Sequence, residues 1–292
     1  MPAWRLADRL LKFPPPLAVG IVNVTSDSFF EGARSGTPQR AVADGLALVE
    51  AGFDLLDVGA VPARSGAAVP ADEEAARLVP AVEELTRRAG VPVTADTFQP
   101  EVASLALDAG AAAINDTSGG ADSLMLDLVA ERGCGYVLMH IEGPPRADRE
   151  PPAHRDPVAH LKRWFAERIQ VALEQGVAEE QIALDPGLDF DLSVDDDLEI
   201  LRRLGELREL GRPLFTGLSR KDFLGAVLAG SWEGRAPAAD REWATAAATA
   251  LAVAEGAELV RLHDRSALDA LRTAAAISGR RAAARPSAAA NG

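Results

Sequence analysis

The chain has 292 residues, of which 48% are hydrophobic and 25% charged, and a formal net charge of −14. That balance lies close to the globular norm and excludes a collagen-like or wholly disordered chain. The acidity argues against general nucleic-acid binding, because affinity for phosphate backbones rests on clustered Lys and Arg.

Met1 to Lys12 mixes Arg5, Asp8 and Arg9 with apolar residues and lacks the uninterrupted apolar segment of a secretory signal, which predicts a cytoplasmic protein. Apolar runs then recur at Leu17 to Val22, Phe53 to Val58, Val91 to Ala95, Ala112 to Ile114, Tyr136 to Met139, Ile182 to Leu184, Pro213 to Thr216 and Leu259 to Leu262. Segments of helical periodicity follow them, among them Pro38 to Ala51, Asp72 to Ala89 and Pro157 to Gln175, the first two closing at Gly52 and Gly90 as helices commonly do. This alternation is the pattern of a parallel sheet with crossover helices. Eight such units predict an α/β fold of the closed (β/α)8 type, a TIM barrel, as a single domain over residues 1–278; a doubly wound open sheet is the alternative. Cys134, the single cysteine, cannot form an internal disulfide or by itself a structural zinc site, and reads as packing. Apolar runs such as Ala244 to Ala254 fall short of the ~20 residues of a membrane-spanning helix, so no membrane partner is expected. Gly279 to Gly292 has no hydrophobic periodicity and is expected to be a disordered tail.

In a barrel, active sites lie at the C-terminal ends of the strands. Here those positions are polar throughout: Asn23 to Phe29 after the first run, Arg64 in the loop after the second, Asp96 and Thr97 after the third, Asn115 and Asp116 after the fourth, and His140 after the fifth. Asp185-Pro186-Gly187 follows the sixth, Ser219-Arg220-Lys221 the seventh and His263-Asp264 the eighth, with Arg261 inside that last run. Each has a structural reading, since Asp and Asn cap helices and Gly and Pro make turns, and capping is the stronger reading for Asp116 or Asp264 taken alone. A whole rim of polar strand ends is harder to assign to capping. Asp96, Asn115 and Asp185 supply acceptors and an amide suited to a flat heterocycle with N–H donors, while Arg64, Arg261 and His263 suit phosphate. Arg261 and His263, two apart in a strand, share one face, as an anion site requires.

These segments carry a resemblance to the dihydropteroate synthase family, in order and over almost the whole chain from about Leu17 to Ala276. The matching stretches are Gly20 to Phe29, Ile114-Asn115-Asp116, Leu138-Met139-His140, Leu184-Asp185-Pro186-Gly187, Gly217 to Lys221 and Arg261-Leu262-His263-Asp264. The resemblance implies a (β/α)8 homodimer that condenses 6-hydroxymethyl-7,8-dihydropterin diphosphate with p-aminobenzoate to give dihydropteroate. By it, Asp96, Asn115, Asp185 and Lys221 would hold the pterin ring. Asn23, Arg64, Arg261 and His263 would hold the diphosphate with Mg2+, Asn23 serving as a metal ligand. Phe29 and Arg220 lie inside the matched stretches as further substrate contacts. Asp27 and Glu31 are candidates for a carboxylate that stabilises the developing cation, Glu31 standing where the family usually has Asp.

The departures concern mostly the second substrate. The second loop reads Ala60 to Gly66 where the family usually has Gly-Glu-Ser-Thr-Arg-Pro-Gly, and Asp189-Phe190-Asp191-Leu192 replaces Gly-Phe-Gly-Lys. Asp222 falls at the start of the helix after the seventh strand, where the family receives the carboxylate of p-aminobenzoate. A fixed anion there predicts weak use of that acceptor; the alternative is that Asp222 caps its own helix. Three readings follow: an active synthase with an altered loop, a paralogue with another acceptor or none, and a pterin-dependent methyltransferase-like barrel.

Overall fold

The computed structural model describes residues 2–7, 9–13, 15–24, 38–62, 66–147 and 151–280. The expected site residues Asp27, Phe29, Glu31 and Arg64, and the tail from 281 on, lie outside the described residues.

The chain opens with an antiparallel hairpin, β1 (Ala3–Leu6) and β2 (Arg9–Lys12). Eight parallel strands follow: β3 (Leu17–Asn23), β4 (Leu55–Gly59), β5 (Val93–Asp96), β6 (Ala113–Asp116), β7 (Gly135–Met139), β8 (Ile182–Asp185), β9 (Phe215–Gly217) and β10 (Leu259–Leu262). Their neighbour order is β8-β7-β6-β5-β4-β3-β10-β9, and a parallel bridge from Leu184 to Leu214, just before β9, closes the ring. A closed ring excludes the open doubly wound sheet. Each expected apolar run overlaps one of these strands.

The helices form the outer layer: α1 (Pro38–Ala51), α2 (Ala71–Arg88), α3 (Pro100–Asp108), α4 (Ser123–Arg132), α5 (Pro157–Glu174), α6 (Val194–Arg202), α7 (Asp222–Ala229), α8 (Glu242–Glu255) and α9 (Arg265–Ile277). Between β9 and β10 the chain carries both α7 and α8, an addition to the simple alternation. No helix among the described residues is long and apolar enough to cross a membrane. Outward-facing strand residues such as Val22, Leu56, Ile114, Leu138, Leu184 and Leu262 pack on the helices in one large core.

Alternate residues point inside, and there the barrel is divided by height. Its lower layer is apolar: Val19, Leu55, Ala113, Val137, Ala183, Phe215 and Leu259. The hairpin plugs this end, with Trp4, Leu6 and Phe13 buried against that layer and the Trp4 indole N–H donating to the Gln181 carbonyl at 2.7 Å. The sequence reading treated Met1 to Lys12 only as a non-signal and missed this hairpin; its cue is the alternation of buried Trp4 and Leu6 around exposed Arg5. At the other end of the chain, Arg280 is still attached to the barrel, its guanidinium donating to the carbonyls of Val253 and Ala257 at 2.7 and 2.8 Å.

Candidate active site

Two residues further along the strands, the inward positions become polar: Asp57 on β4, Thr94 and Asp96 on β5, Asn115 on β6, Asp185 on β8 and Arg261 on β10. Asp57 is fully buried and organises this layer. One of its carboxylate oxygens accepts the Thr94 hydroxyl at 2.5 Å; the other accepts the Asn115 amide N–H at 3.1 Å and lies 2.5 Å from Arg261 Nε. Arg261 Nη2 in turn donates to Asp96 at 2.7 Å. The guanidinium therefore bridges two carboxylates, and the expected heterocycle residues Asp96 and Asn115 and the expected phosphate residue Arg261 form one connected network.

Burial governs the protonation of this layer. It pushes the Asp96 carboxyl up to about 7, against the Arg261 charge and with the help of Asp57 and Glu74. Burial likewise raises Asp185 to about 6, opposed by the Gly187 N–H, 2.9 Å from its oxygen, and by Lys221 and Arg261. Burial also lowers the Lys221 ammonium below its ordinary range. That ammonium donates to the Leu188 carbonyl at 3.0 Å and sits over the Phe190 ring, 4.4 Å from its centre. Asn115 Oδ1 is buried and has no hydrogen-bond partner among the described residues, which leaves an acceptor for a ligand N–H. Gly187 fixes the turn after β8: at φ +68° a Cβ would lie 2.1 Å from the His140 carbonyl oxygen.

His263, just past β10, is pushed down to about 3 by burial and by the nearby Arg220 and Arg261 charges. Its Nδ1 is buried without a partner among the described residues. A neutral imidazole beside guanidinium groups marks a place where an anion would be welcome. Arg220, at φ +60°, pairs with Asp264 at 2.6 Å. Asn23 ends β3 on the same inward parity as Val19. Asp264 does cap a helix, accepting Ala267 N–H of α9 at 3.0 Å. Asp116 caps none; it holds its own loop by accepting Ser118 N–H, Gly120 N–H and the Tyr136 hydroxyl.

The start of α7 differs from the expectation for Asp222. Its carboxylate neither caps the helix nor stands alone, because it pairs with Arg241 at 2.7 Å and with Arg235 at 3.4 Å. The acceptor at that helix end is Asp189, which takes the Asp222 and Phe223 backbone N–H groups at 2.9 and 3.0 Å. Asp189 adopts φ +73° and is buried, and its own N–H donates to Asp197. Sequence reasoning noted Asp189 as a replaced glycine without seeing that the side chain would fold onto α7. It missed Asp57 altogether, although a carboxylate within the run Leu55-Leu56-Asp57-Val58 is the cue for a buried polar site.

With this geometry in hand, the chain can be set beside known proteins. A family model described as pterin binding enzyme matches residues 19–263. Dihydropteroate synthase of Mycobacterium leprae is 40% identical over 272 residues, covering 91% of this chain and 95% of that protein. The structure of Xanthomonas albilineans dihydropteroate synthase with 4-aminobenzoic acid superposes with a TM-score of 0.84 at 40% identity, covering 94% of this chain and 98% of the other. The same enzyme in complex with 7,8-dihydropteroate gives 0.82 at 39% identity, with 94% and 98% covered. The polar rim of this barrel is thus the rim of a pterin-binding enzyme, and the chain belongs to the dihydropteroate synthase family.

Proposed function

We propose that the protein is a pterinylmethyl transferase that joins 6-hydroxymethyl-7,8-dihydropterin diphosphate to p-aminobenzoate, forming dihydropteroate. The observation that carries this reading is the buried Asp57–Asn115–Arg261–Asp96 network, which shares the inward strand layer with Asp185 and has the Lys221 charge nearby at the start of α7. In it, Asp96, Asn115, Asp185 and Lys221 hold the pterin edge, with the free Asn115 oxygen accepting a ring N–H. Arg261, His263, Asn23 and Arg64 hold the diphosphate, and Arg220 and Asp222 border the acceptor.

The diphosphate departs with the electron pair of its C–O bond, and the amine nitrogen of p-aminobenzoate then forms the new C–N bond and loses a proton. Arg261 favours departure by offsetting the charge gathering on phosphate oxygens, and His263 adds an N–H donor there. Asp27 or Glu31 supplies the carboxylate that stabilises the cation-like methylene. Mg2+ fits a site of this kind, since the Asn23 amide oxygen is a hard donor and magnesium commonly shares its coordination between protein and substrate phosphates. When bound, it would neutralise diphosphate charge.

A second reading, a barrel that binds the pterin diphosphate but takes another acceptor, is favoured by one observation. Asp189 already occupies the α7 N–H groups that the family resemblance assigns to the acceptor carboxylate. Incubation of purified protein with pterin diphosphate, magnesium and p-aminobenzoate decides between them: dihydropteroate formation supports the first, and tight pterin diphosphate binding without product supports the second. The proposed assembly is a homodimer, for which the exposed Trp243 on α8 and Ile277 on α9 offer an apolar surface. Light scattering of the parent and Trp243→Glu chains tests it; a parent that runs as a monomer rejects it.

A further inference from the structure

Three of the chain's four histidines converge on a single carboxylate oxygen beside the β7 strand end. His140 follows β7, His154 lies before α5 and His160 is in the first turn of α5. Their Nε2 atoms lie 3.2, 3.2 and 2.7 Å from Glu142 Oε1. His140 is buried and His154, His160 and Glu142 are partly buried, so the cluster is largely shielded from bulk water.

Hydrogen bonding alone accounts poorly for this convergence. One carboxylate oxygen has about two lone-pair sites, and three imidazole nitrogens compete for it. His160 Nε2, at 2.7 Å, is not in hydrogen-bond geometry and has no other partner among the described residues. His154 has its other nitrogen, Nδ1, 3.1 Å from Asp196 Oδ2. That ring, between Asp196 and Glu142, fixes the Glu142 carboxylate from α6, the kind of outer support that metal-binding groups commonly have. The ligand atoms of His140, Glu142 and His160 all lie within 4.8 Å of one another. Ligands about 2.0 to 2.1 Å from a tetrahedral zinc ion stand about 3.3 Å apart, so one ion among these three side chains would partner the His160 nitrogen and relieve the crowding on the Glu142 oxygen.

We propose that the ring nitrogens of His140 and His160, together with the Glu142 carboxylate, bind one transition-metal cation of the zinc class, which clamps the segment after β7 to α5, with His154 supporting Glu142 from Asp196 on α6. Two imidazoles and one carboxylate are a borderline donor set suited to zinc and its neighbours rather than to magnesium, so this site is distinct from any cation carried by a diphosphate. Three protein ligands leave a fourth tetrahedral position for water. Its link to the barrel is the His140 backbone, whose N–H donates to the Asp185 carbonyl at 2.8 Å.

The test uses the full chain, stripped with chelator and titrated with Zn2+ by calorimetry and with Co2+ by visible absorption. The expected result is one saturable zinc equivalent per chain, the strong visible bands of tetrahedral cobalt, and a melting temperature that rises with zinc and falls again with chelator. His154→Ala, which removes the support of Glu142, should weaken zinc binding about 10- to 100-fold, and His160→Ala and Glu142→Gln more than that. Absence of saturable binding to the unmodified chain overturns the proposal, as does zinc affinity unchanged by both His160→Ala and Glu142→Gln. A melting temperature of the unmodified chain indifferent to zinc and chelator also overturns it, and that measurement needs no variant to fold.

Discussion

The two storeys of the barrel interior obey opposite rules. The lower one is apolar, plugged by Trp4, Leu6 and Phe13, and gains stability from burial. The upper one buries Asp57, Asn115 and Asp185 with Arg261 among them, groups that cost desolvation, and burial raises the Asp96 and Asp185 carboxyls above their ordinary range. The same strands build both, a single step of two residues turning Leu55 into Asp57, Ala113 into Asn115, Ala183 into Asp185 and Leu259 into Arg261. Stability and ligand recognition are therefore separated by height along each strand, and substitutions at the two heights should fail in different ways.

The largest effect should come from Arg261→Ala, which removes the shared partner of Asp57 and Asp96. Breaking a buried ion pair by removing one partner costs about 3–5 kcal/mol, and diphosphate binding should be lost with it. The loss in urea midpoint should be larger at pH 8 than at pH 5, because Asp96, raised to about 7, accepts a proton at the lower pH. An equal loss at both would separate Asp96 from the network. Trp4→Ala should cost a similar 3–5 kcal/mol through a cavity and an unpaired Gln181 carbonyl. It should leave the kcat and KM of the folded fraction at parent values, and a changed KM would mean that the floor reaches the site.

Asp185→Asn sharpens the contrast in the opposite sense. Burial holds its carboxyl at about 6, above the ordinary aspartate range, so the protonated form favours the fold. That contribution is complete below the unfolded value and is lost as pH rises through about 6. The loss amounts to about 3 kcal/mol, which an Asn would not suffer. The variant should thus be more stable than the parent at pH 8, by up to about 3 kcal/mol, while binding pterin more weakly by about 1–3 kcal/mol. A variant less stable than the parent at pH 8 would place Asp185 among the residues that hold the fold.

The barrel was legible because each strand announces itself as a short apolar run bounded by polar residues, and that local signal is the one a closed parallel sheet requires. The polar strand ends were legible for the same reason, since Asp96, Asn115, Asp185 and Arg261 fall at the ends of those runs. Asp57 was not, because it lies inside a run and is identified only once β4, β5, β6 and β10 bring Thr94, Asn115 and Arg261 around it. The hairpin plug was missed because its partners are far along the chain, Trp4 meeting Gln181. The role of Asp189 depends on a backbone at φ +73° that delivers its side chain to a helix more than thirty residues away, a placement that no local pattern encodes.

The smallest effects separate two aspartates at the start of α7. Asp222 is offset by Arg241 and Arg235, so Asp222→Ser should change the KM for p-aminobenzoate by only about twofold, on the usual 1.4 kcal/mol per decade. Asp189 holds the helix N–H groups directly, and a second carboxylate brought about 4 Å from it would be repelled by ~1 kcal/mol in water and ~4 kcal/mol at an effective dielectric of 20. Lys221, 4.4 Å above the Phe190 ring, offsets part of this, which brings the expected effect toward the lower figure. Asn caps a helix about as well as Asp, so Asp189→Asn should retain the fold while removing the charge. Its KM for p-aminobenzoate should fall by roughly fivefold to tenfold with little change in pterin diphosphate binding. Steady-state kinetics with both variants read the comparison directly. If Asp222→Ser lowers the KM and Asp189→Asn does not, the repelling charge belongs to Asp222 despite its arginines, and Asp189 is a cap alone.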